Sequence, residues 1–531
     1  MQALKKMAFL TAVFLCLNGF TKTSNLIEKL NSPANKEKLN FISQTEKTFN
    51  KVELLHLGKK SFQKRIKLIN EAENFIYHTV PYWHNDEKGN EIYKAFFKKK
   101  EQNPDIDLKL IMDWSSNITA SDPLGKKIYN RINKVFRGNV LRWNHPNWLR
   151  QWSLKIAENH VHEKMLIVDG KSLIIGGMNN GTSYYGQGPE SWHDTDLYIE
   201  GPAALKGAKI FSKVNALGNY LKDYKNKVPI SRKKRIWLFQ KSMFPGSEKI
   251  YYPSKHYKIS HKRGRLEKAV RDSLKELEYL DEDTLIKEEE GKTPVRLIYD
   301  NPLINYKLDN KNKLQKFNKT IDTVEFILKH SKNEAIFIIP YFTLTKNFQN
   351  ILLKAQKRGV QIKVLTNSIK SMDYFPEFMH NAMIYSYKKL LQNGAQIYEW
   401  QGHEGLKDLE RVHNCKIPDS FWPGSTIHSK LAIFDDQVSM VSSHNFNLRS
   451  EKYNSEITAL IEDRAFTKNI KSIFYKAVSD KQPRKRKITC GKLKLDYPQQ
   501  TKLIKFSDIR SHFKKGKRFK VKIPHLLRRY L

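Results

Sequence analysis

The sequence predicts an α/β protein of two tandem lobes, each a mainly parallel or mixed sheet flanked by helices. Three observations carry that expectation. The pattern His-x-Lys-x-x-x-x-Asp occurs twice, from His162 through Lys164 to Asp169 and from His428 through Lys430 to Asp435. A strand-helix-strand pattern precedes each copy at nearly the same distance. The chain of 531 residues is long enough for two lobes that each bury a core.

The elements follow in chain order. Lys5 and Lys6 precede an uncharged stretch from Met7 to Leu17. That stretch is too short to span a bilayer and suits an export signal, with an uncleaved anchor as the alternative, so residues 1–24 are set apart. Residues 25–202 make the first lobe. Phe75 to Val80 reads as a strand, Glu91 to Lys100 as a helix and Leu108 to Asp113 as a second strand. Residues 294–478 make the second lobe and repeat the order with Ala335 to Ile339, Phe348 to Lys357 and Gln361 to Thr366. The first strands end alike, in Pro81-Tyr82-Trp83 and Pro340-Tyr341-Phe342. Apolar runs without strict alternation imply strands buried on both faces. Between the lobes, 203–293 is charge-rich, contains Ser231-Arg232-Lys233-Lys234-Arg235 and a helical piece near Leu266 to Leu280, and reads as a solvated spacer or lid. Residues 479–531 form a basic tail with Arg484-Lys485-Arg486-Lys487, whose mixed apolar and cationic end suits surface docking.

Each motif sits against an apolar run, Met165 to Val168 or Leu431 to Phe434, that reads as a buried strand with the polar residues at its start. Positions two apart on a strand share a face, so each copy presents an imidazole beside an ammonium. That pairing suits phosphate chemistry: the cation neutralises phosphoryl oxygens while imidazole attacks phosphorus or passes a proton. One His cannot serve both sides of an in-line displacement; two copies can. Asp169 and Asp435, five residues past the Lys, fall away from the phosphate and read as structural supports.

The motif tails also match. Gly176-Gly177-Met178-Asn179 leads to His193-Asp194-Thr195-Asp196, and Ser442-Ser443-His444-Asn445 leads to Asn454-Ser455-Glu456. With the twin motifs, these residues resemble the phospholipase D superfamily, and within it the bacterial cardiolipin synthase branch, over most of the chain from Phe62 to Asp463. The resemblance implies one active site at the lobe interface, with one His from each lobe facing the same phosphate, and a two-step phosphoryl transfer there. His162 would attack the phosphodiester to give a phosphohistidine, and His428 would protonate the leaving alcohol and then deprotonate the acceptor; motif order sets these parts, which could be reversed. Lys164, Lys430, Asn179 and Asn445 would hold the phosphoryl oxygens. Asp196 and Glu456 would hydrogen-bond the two imidazoles and fix their tautomers.

The acceptor decides the reaction. A lipid alcohol makes the chain a cardiolipin synthase-like phosphatidyltransferase; water makes it a phospholipase D producing phosphatidic acid; a metal-independent nuclease is the further alternative. The net charge of +41 demands an anionic partner. An anionic phospholipid membrane with phospholipid substrates is favoured over nucleic acid. Trp143, Trp148 and Trp152, set among Arg142 and Arg150, read as membrane or substrate contacts, with packing and base stacking as rival readings. No cofactor and no metal is expected, since His160, His162, His413 and Cys415 lack a four-ligand spacing. Cys415 and Cys490 make no disulfide framework. Tandem lobes place the site within one chain, so no oligomer is required. The expected location is exported, periplasmic or peripheral on the outer face of the inner membrane, with membrane anchoring through the N-terminus as the alternative.

Overall fold

The computed structural model describes residues 25–117, 126–143, 160–186, 191–223, 292–301, 306–308, 314–316, 318–373, 376–402, 426–478, 486–490, 493–497 and 501–508, with 268, 272, 275 and 277. Apart from two separate antiparallel pairs, Tyr306–Leu308 with Leu314–Lys316 and Arg486–Cys490 with Leu493–Tyr497, the strands form one continuous sheet. From one edge it runs Thr501–Ile504, Gln396–Trp400, Gln361–Asn367, Glu334–Ile338, Leu431–Phe434, Val438–Ser442, Asn454–Ile461, Thr293–Asp300, Thr48–His56, Thr195–Glu200, Ser172–Gly176, Met165–Val168, Phe75–Val80, Asp107–Asp113 and Val140–Trp143. The order reads alike outward from the seam between Thr293–Asp300 and Thr48–His56, where Thr48 pairs with Val295 and Asn50 with Thr293. The chain is thus two copies of one seven-stranded unit related by an approximate twofold, plus the edge strand Thr501–Ile504.

The sheet is mixed. Only the outer three strands of each unit are parallel to one another. The motif strand beside them is antiparallel, Ile76 opposite Val168 in the first unit and Ala335 opposite Phe434 in the second. It then turns back as a hairpin with its neighbour, so antiparallel pairing continues to the seam. The helices between the parallel strands start earlier than apolar periodicity alone shows, because a polar side chain caps each one. Asp86 accepts from the Gly89 N–H at 2.9 Å to open Glu87–Gln102, and Thr345 accepts from Phe348 at 3.0 Å to open Lys346–Lys357.

Three apolar clusters hold the layers. Two lie under the outer helices, one for each lobe. The third is shared and joins Tyr77, Ile167 and Ile175 of the first lobe to Ile338, Ile433 and Ile457 of the second. Packing at such a core leaves little freedom between the lobes.

Three sequence expectations are corrected. The spacer does not begin as solvated chain: Pro202–Asp223 is a helix whose Ala204, Ala208, Phe211 and Val214 are fully buried in the shared cluster. Small residues at helical spacing let it lie against the sheet. Of the helical piece near 266–280, Leu277 is buried in the same cluster, and most of the spacer lies outside the described residues. The first lobe does not start at residue 25. Leu26, Leu30 and Leu39 pack into the second lobe's cluster, and Asn31 donates to Glu462 at 2.9 Å. Nor does the second lobe end at residue 478: Thr501–Ile504 pairs antiparallel with Gln396–Trp400, while the mixed apolar and cationic end of the tail lies outside the described residues. Residues 1–24 and 509–531 lie outside the described residues. Among the described residues no helix is long and apolar enough to cross a membrane.

Candidate active site

Each motif is pinned at its far end by its Asp. The hairpin after Met165–Val168 reverses at Asp169 and Gly170, whose φ values are 52° and 66°. The Asp169 carboxylate accepts the backbone N–H groups of Glu73, Asn74 and Phe75, each at 2.8 Å. Asp435, with φ 48°, does the same for Lys332, Asn333 and Glu334 at 2.7, 2.8 and 3.0 Å. These charge-assisted bonds tie the end of the motif strand to the start of the neighbouring strand. Because the two strands are antiparallel, the His and Lys ends of the motifs lie beside the carboxyl ends of the parallel strands, where α/β sheets open to ligands.

The lobes meet at these ends through two matching backbone bridges. The segment before the first motif pairs with the second lobe, His160 with Asn454 and Val161 with Ser455, and His193 of the first lobe pairs with Ile427 before the second motif. The His162 N–H donates to the Ser455 carbonyl at 3.1 Å and the His428 N–H to the His193 carbonyl at 2.8 Å. The imidazoles are therefore held by the opposite lobe. His162 Nδ1 lies 2.9 Å from Glu456 Oε2, and His428 Nδ1 lies 2.6 Å from Asp194 Oδ2. With Nδ1–H bound to a carboxylate, Nε2 of each ring carries the lone pair available to phosphorus or a proton. Lys164 Nζ donates to the His162 carbonyl at 2.8 Å; Lys430 Nζ donates to that of His428 and also lies 2.9 and 3.2 Å from Nδ1 and Nε2 of the His428 ring.

Burial sets the electrostatics. It is the main cause that draws His162 down to about 4 and His428 well below its ordinary value, with the motif lysines adding to it. Both rings are therefore neutral near pH 7 and able to act as nucleophile or base. Burial also lowers Lys164 to about 8 and Lys430 to about 7, so an arriving phosphate dianion or diester anion would secure both charges. The two carboxylates differ. Burial would raise Glu456, yet His162 and its hydrogen bond, with His444 and Lys164, hold it at about 2. Asp194 is raised by burial to about 6, against the pull of Lys430 and the Thr195 N–H.

Two imidazoles, two ammoniums and two crossed carboxylates in one interior make a site for in-line displacement at a phosphodiester. A family model described as "Cardiolipin synthase, PLD-like domain" matches residues 66–214 and 325–478, more than half of the chain. The chain belongs to that cardiolipin synthase family of the phospholipase D superfamily. It is thereby an enzyme of the phospholipase D type. It is similar to Cardiolipin synthase C of Escherichia coli (strain K12), with 24% identity over 439 residues, 79% of this chain and 83% of that protein. An uncharacterized protein of Helicobacter pylori (strain J99) is 23% identical over 432 residues, 79% of this chain and 77% of that one. The crystal structure of phosphatidylserine synthase from Haemophilus influenzae Rd KW20 has the same fold, with a TM-score of 0.56 at 15% identity, covering 93% of this chain and 99% of that one.

Within this cardiolipin synthase-like site most residues singled out by sequence converge, with two corrections. Asp196 does not bind an imidazole. The strand register pairs Gly176 with Asp196 but Ser442 with Thr458, so Asp194, one pleat earlier, is the counterpart of Glu456. Asp196 instead accepts from Arg65 at 2.8 Å and Ser61 at 2.6 Å, all three buried. The first lobe has four more residues between Asn179 and its carboxylate than the second has after Asn445, and that insertion hid the alignment. The second correction is Trp143, which is fully buried in the shared cluster and cannot meet a membrane or substrate; its counterpart Trp400 is buried there too. Trp148 and Trp152 lie outside the described residues. Asn179 donates to the Tyr184 hydroxyl at 2.7 Å. Oδ1 of Asn179 and Oδ1 of Asn445 are both buried without a hydrogen-bond partner among the described residues. Amide oxygen and nitrogen are interchangeable by a flip, so either amide can turn a donor toward an anion.

Sequence reading missed the residues that hold the carboxylates. Glu456 accepts from Ser443, from Ser450 at 2.6 Å and from Asn454 at 3.2 Å, besides His162. In the first lobe Gly177 stands where Ser443 does, and a Cβ there would come within 2.2 Å of Asp194 Oδ1. The Gly-Gly against Ser-Ser difference between the motif tails was the available signal.

Proposed function

We propose that this protein is a cardiolipin synthase-like phosphatidyltransferase that works through a phosphohistidine on His162. The observation that carries this reading is the crossed pair of imidazole–carboxylate bonds, which turns both Nε2 atoms into working groups of one site. His162 attacks the phosphorus of a phospholipid diester and the P–O bond to the leaving alcohol breaks; His428, which the bound diester anion and Asp194 hold as imidazolium in the loaded site, gives that oxygen its Nε2 proton and is left neutral. The acceptor alcohol then loses its proton to His428 Nε2, its oxygen bonds to phosphorus, and the N–P bond to His162 breaks. Lys164 and Lys430, with amide donors from Asn179 and Asn445, hold the equatorial oxygens as charge builds there.

The unequal carboxylates support the order of the parts. A phosphorylated imidazole is cationic and needs a fixed anion on Nδ1–H; Glu456, with four donors and a value of about 2, is that anion. Asp194, raised by burial to about 6, takes a proton far more readily than Glu456 and suits the ring that exchanges protons. Anionic phospholipid, drawn by the charge of +41, is the substrate class and the surface on which the enzyme works. The test is incubation of the purified protein with phosphatidylglycerol vesicles, with and without phosphatidylethanolamine, reading lipid products by mass spectrometry beside His162→Ala. Cardiolipin that vanishes in the variant supports the synthase; phosphatidic acid alone makes the enzyme a hydrolase; no lipid turnover rejects the lipid reading.

A further inference from the structure

The two halves of the site follow one fold but are lined differently, and the difference falls on His428. Tyr184 and Trp192 of the first lobe occupy the places of Ser450 and Asn454 in the second. The matching helices Thr182–Tyr185 and Leu448–Lys452 and the matching bridges of His193 with Ile427 and Ser455 with Val161 fix this register. Ser450 and Asn454 both donate to Glu456. The first-lobe residues turn instead to the imidazole of the opposite lobe. The Tyr184 and Trp192 rings lie 5.3 and 5.2 Å from His428, centroid to centroid, and 4.7 Å from each other. Among the described residues no aromatic ring lies against His162, whose side chain is 23% exposed against 8% for His428. Trp192 is half-buried, outermost of the three rings, and Tyr184 behind it is buried.

We propose that Trp192, backed by Tyr184, is a specificity-determining wall that makes the His428 half of the site take an organic alcohol in preference to water. The inference rests on the phosphatidyl-transfer reading and concerns its second step. Water and alcohol compete there for the same place: the acceptor oxygen forms the bond to phosphorus, its proton passes to His428 Nε2, and the N–P bond to His162 breaks. Carbon-bound hydrogens of an alcohol bury against the two rings, whereas a water molecule set between aromatic faces gives up hydrogen-bond partners and gains no apolar contact. In the second lobe, serine and asparagine stand in those places and offer no such selection.

The test uses the full chain with phosphatidylglycerol vesicles and 1-butanol as soluble acceptor, scoring phosphatidylbutanol against phosphatidic acid in the same reaction. Trp192→Ala is expected to move that ratio about tenfold toward phosphatidic acid, the scale on which one pocket wall discriminates. Trp192→Phe keeps the ratio within about twofold, and Asn454→Ala slows both products together. The ratio is internal, so a partly folded preparation does not alter it. An unchanged ratio in Trp192→Ala, at whatever rate survives, overturns the inference while leaving phosphatidyl transfer standing. Wild-type protein that yields phosphatidic acid alone overturns it too, and wild-type protein that yields neither product overturns both readings.

Discussion

His162 Nδ1 is hydrogen-bonded at 2.9 Å to Glu456 Oε2, a carboxylate that reaches it from the other lobe. The reciprocal bond runs from His428 to Asp194. Neither half by itself therefore pairs its imidazole with a carboxylate, and the shared apolar cluster that joins the lobes holds both pairs together. Duplication of the fold thus yields one site and not two.

Glu456→Gln keeps the shape but can turn an amide donor toward Nδ1, moving the proton to Nε2 and removing the nucleophilic lone pair. The expected loss in kcat is on the order of 10³- to 10⁴-fold, as for other His–carboxylate pairs, with KM little changed. Lipid-product rates on vesicles, with circular dichroism as the control for folding, check it.

Asp194→Asn and Asp196→Asn separate activity from stability. The first is expected to cost at least about 10²-fold in rate with a small change in Tm. The second strands the buried Arg65 guanidinium and costs about 3–5 kcal/mol of stability, with less than about tenfold change in rate while the protein stays folded. Thermal melts and rates measured on the same preparations distinguish the two.

Asp435→Asn tests the far end of the motif. Asparagine tolerates the left-handed backbone at this position, so the substitution isolates the charge that holds three N–H groups. A loss of about 2 kcal/mol is expected, read by denaturant midpoint, with rates near wild type below the melting range.

Glu163 gives a pH signature. It lies between His162 and Lys164 in the sequence, on the buried side, bonded to Ser455 and Tyr299, and burial pushes it up to about 7. A carboxyl raised from 4.5 in the unfolded chain to about 7 in the folded one binds its proton more tightly when folded. Its contribution to stability is thus present below pH 4.5 and is lost as pH rises to 7. Relative to Glu163→Gln, the wild type is expected to lose about 3 kcal/mol across that window. Paired denaturation curves at pH 4.5 and 7 measure it; a constant difference between the two proteins rejects the buried acid.

Much of the fold was legible because duplication shows in the residues themselves. The strands before Pro81 and Pro340, the helices after them and the apolar runs behind each Lys are local patterns of burial and period. The site's central residues were legible for the same reason, as residue types at fixed spacing. What was not legible depends on pairing across the sheet. Asp194 and Asp196 share a strand face and a charge, and only the register opposite Gly176 separates the one that serves His428 from the one that neutralises Arg65. The same holds for Trp143, whose neighbouring arginines suggested a membrane surface while its strand-end position buries it. The start of the spacer looked charged on average, yet Ala204, Ala208, Phe211 and Val214 form a stripe that the sheet covers.

The most direct test is to trap the covalent state in the His428→Ala variant with a phosphatidyl ester of p-nitrophenol, a leaving group that needs no proton from His428. Intact-protein and peptide mass spectrometry then locate the adduct. A phosphatidyl group accumulating on His162, and absent from His162→Ala, is the expected result; an adduct on His428 in the His162→Ala protein, with none on His162, would contradict the assignment of nucleophile and acid.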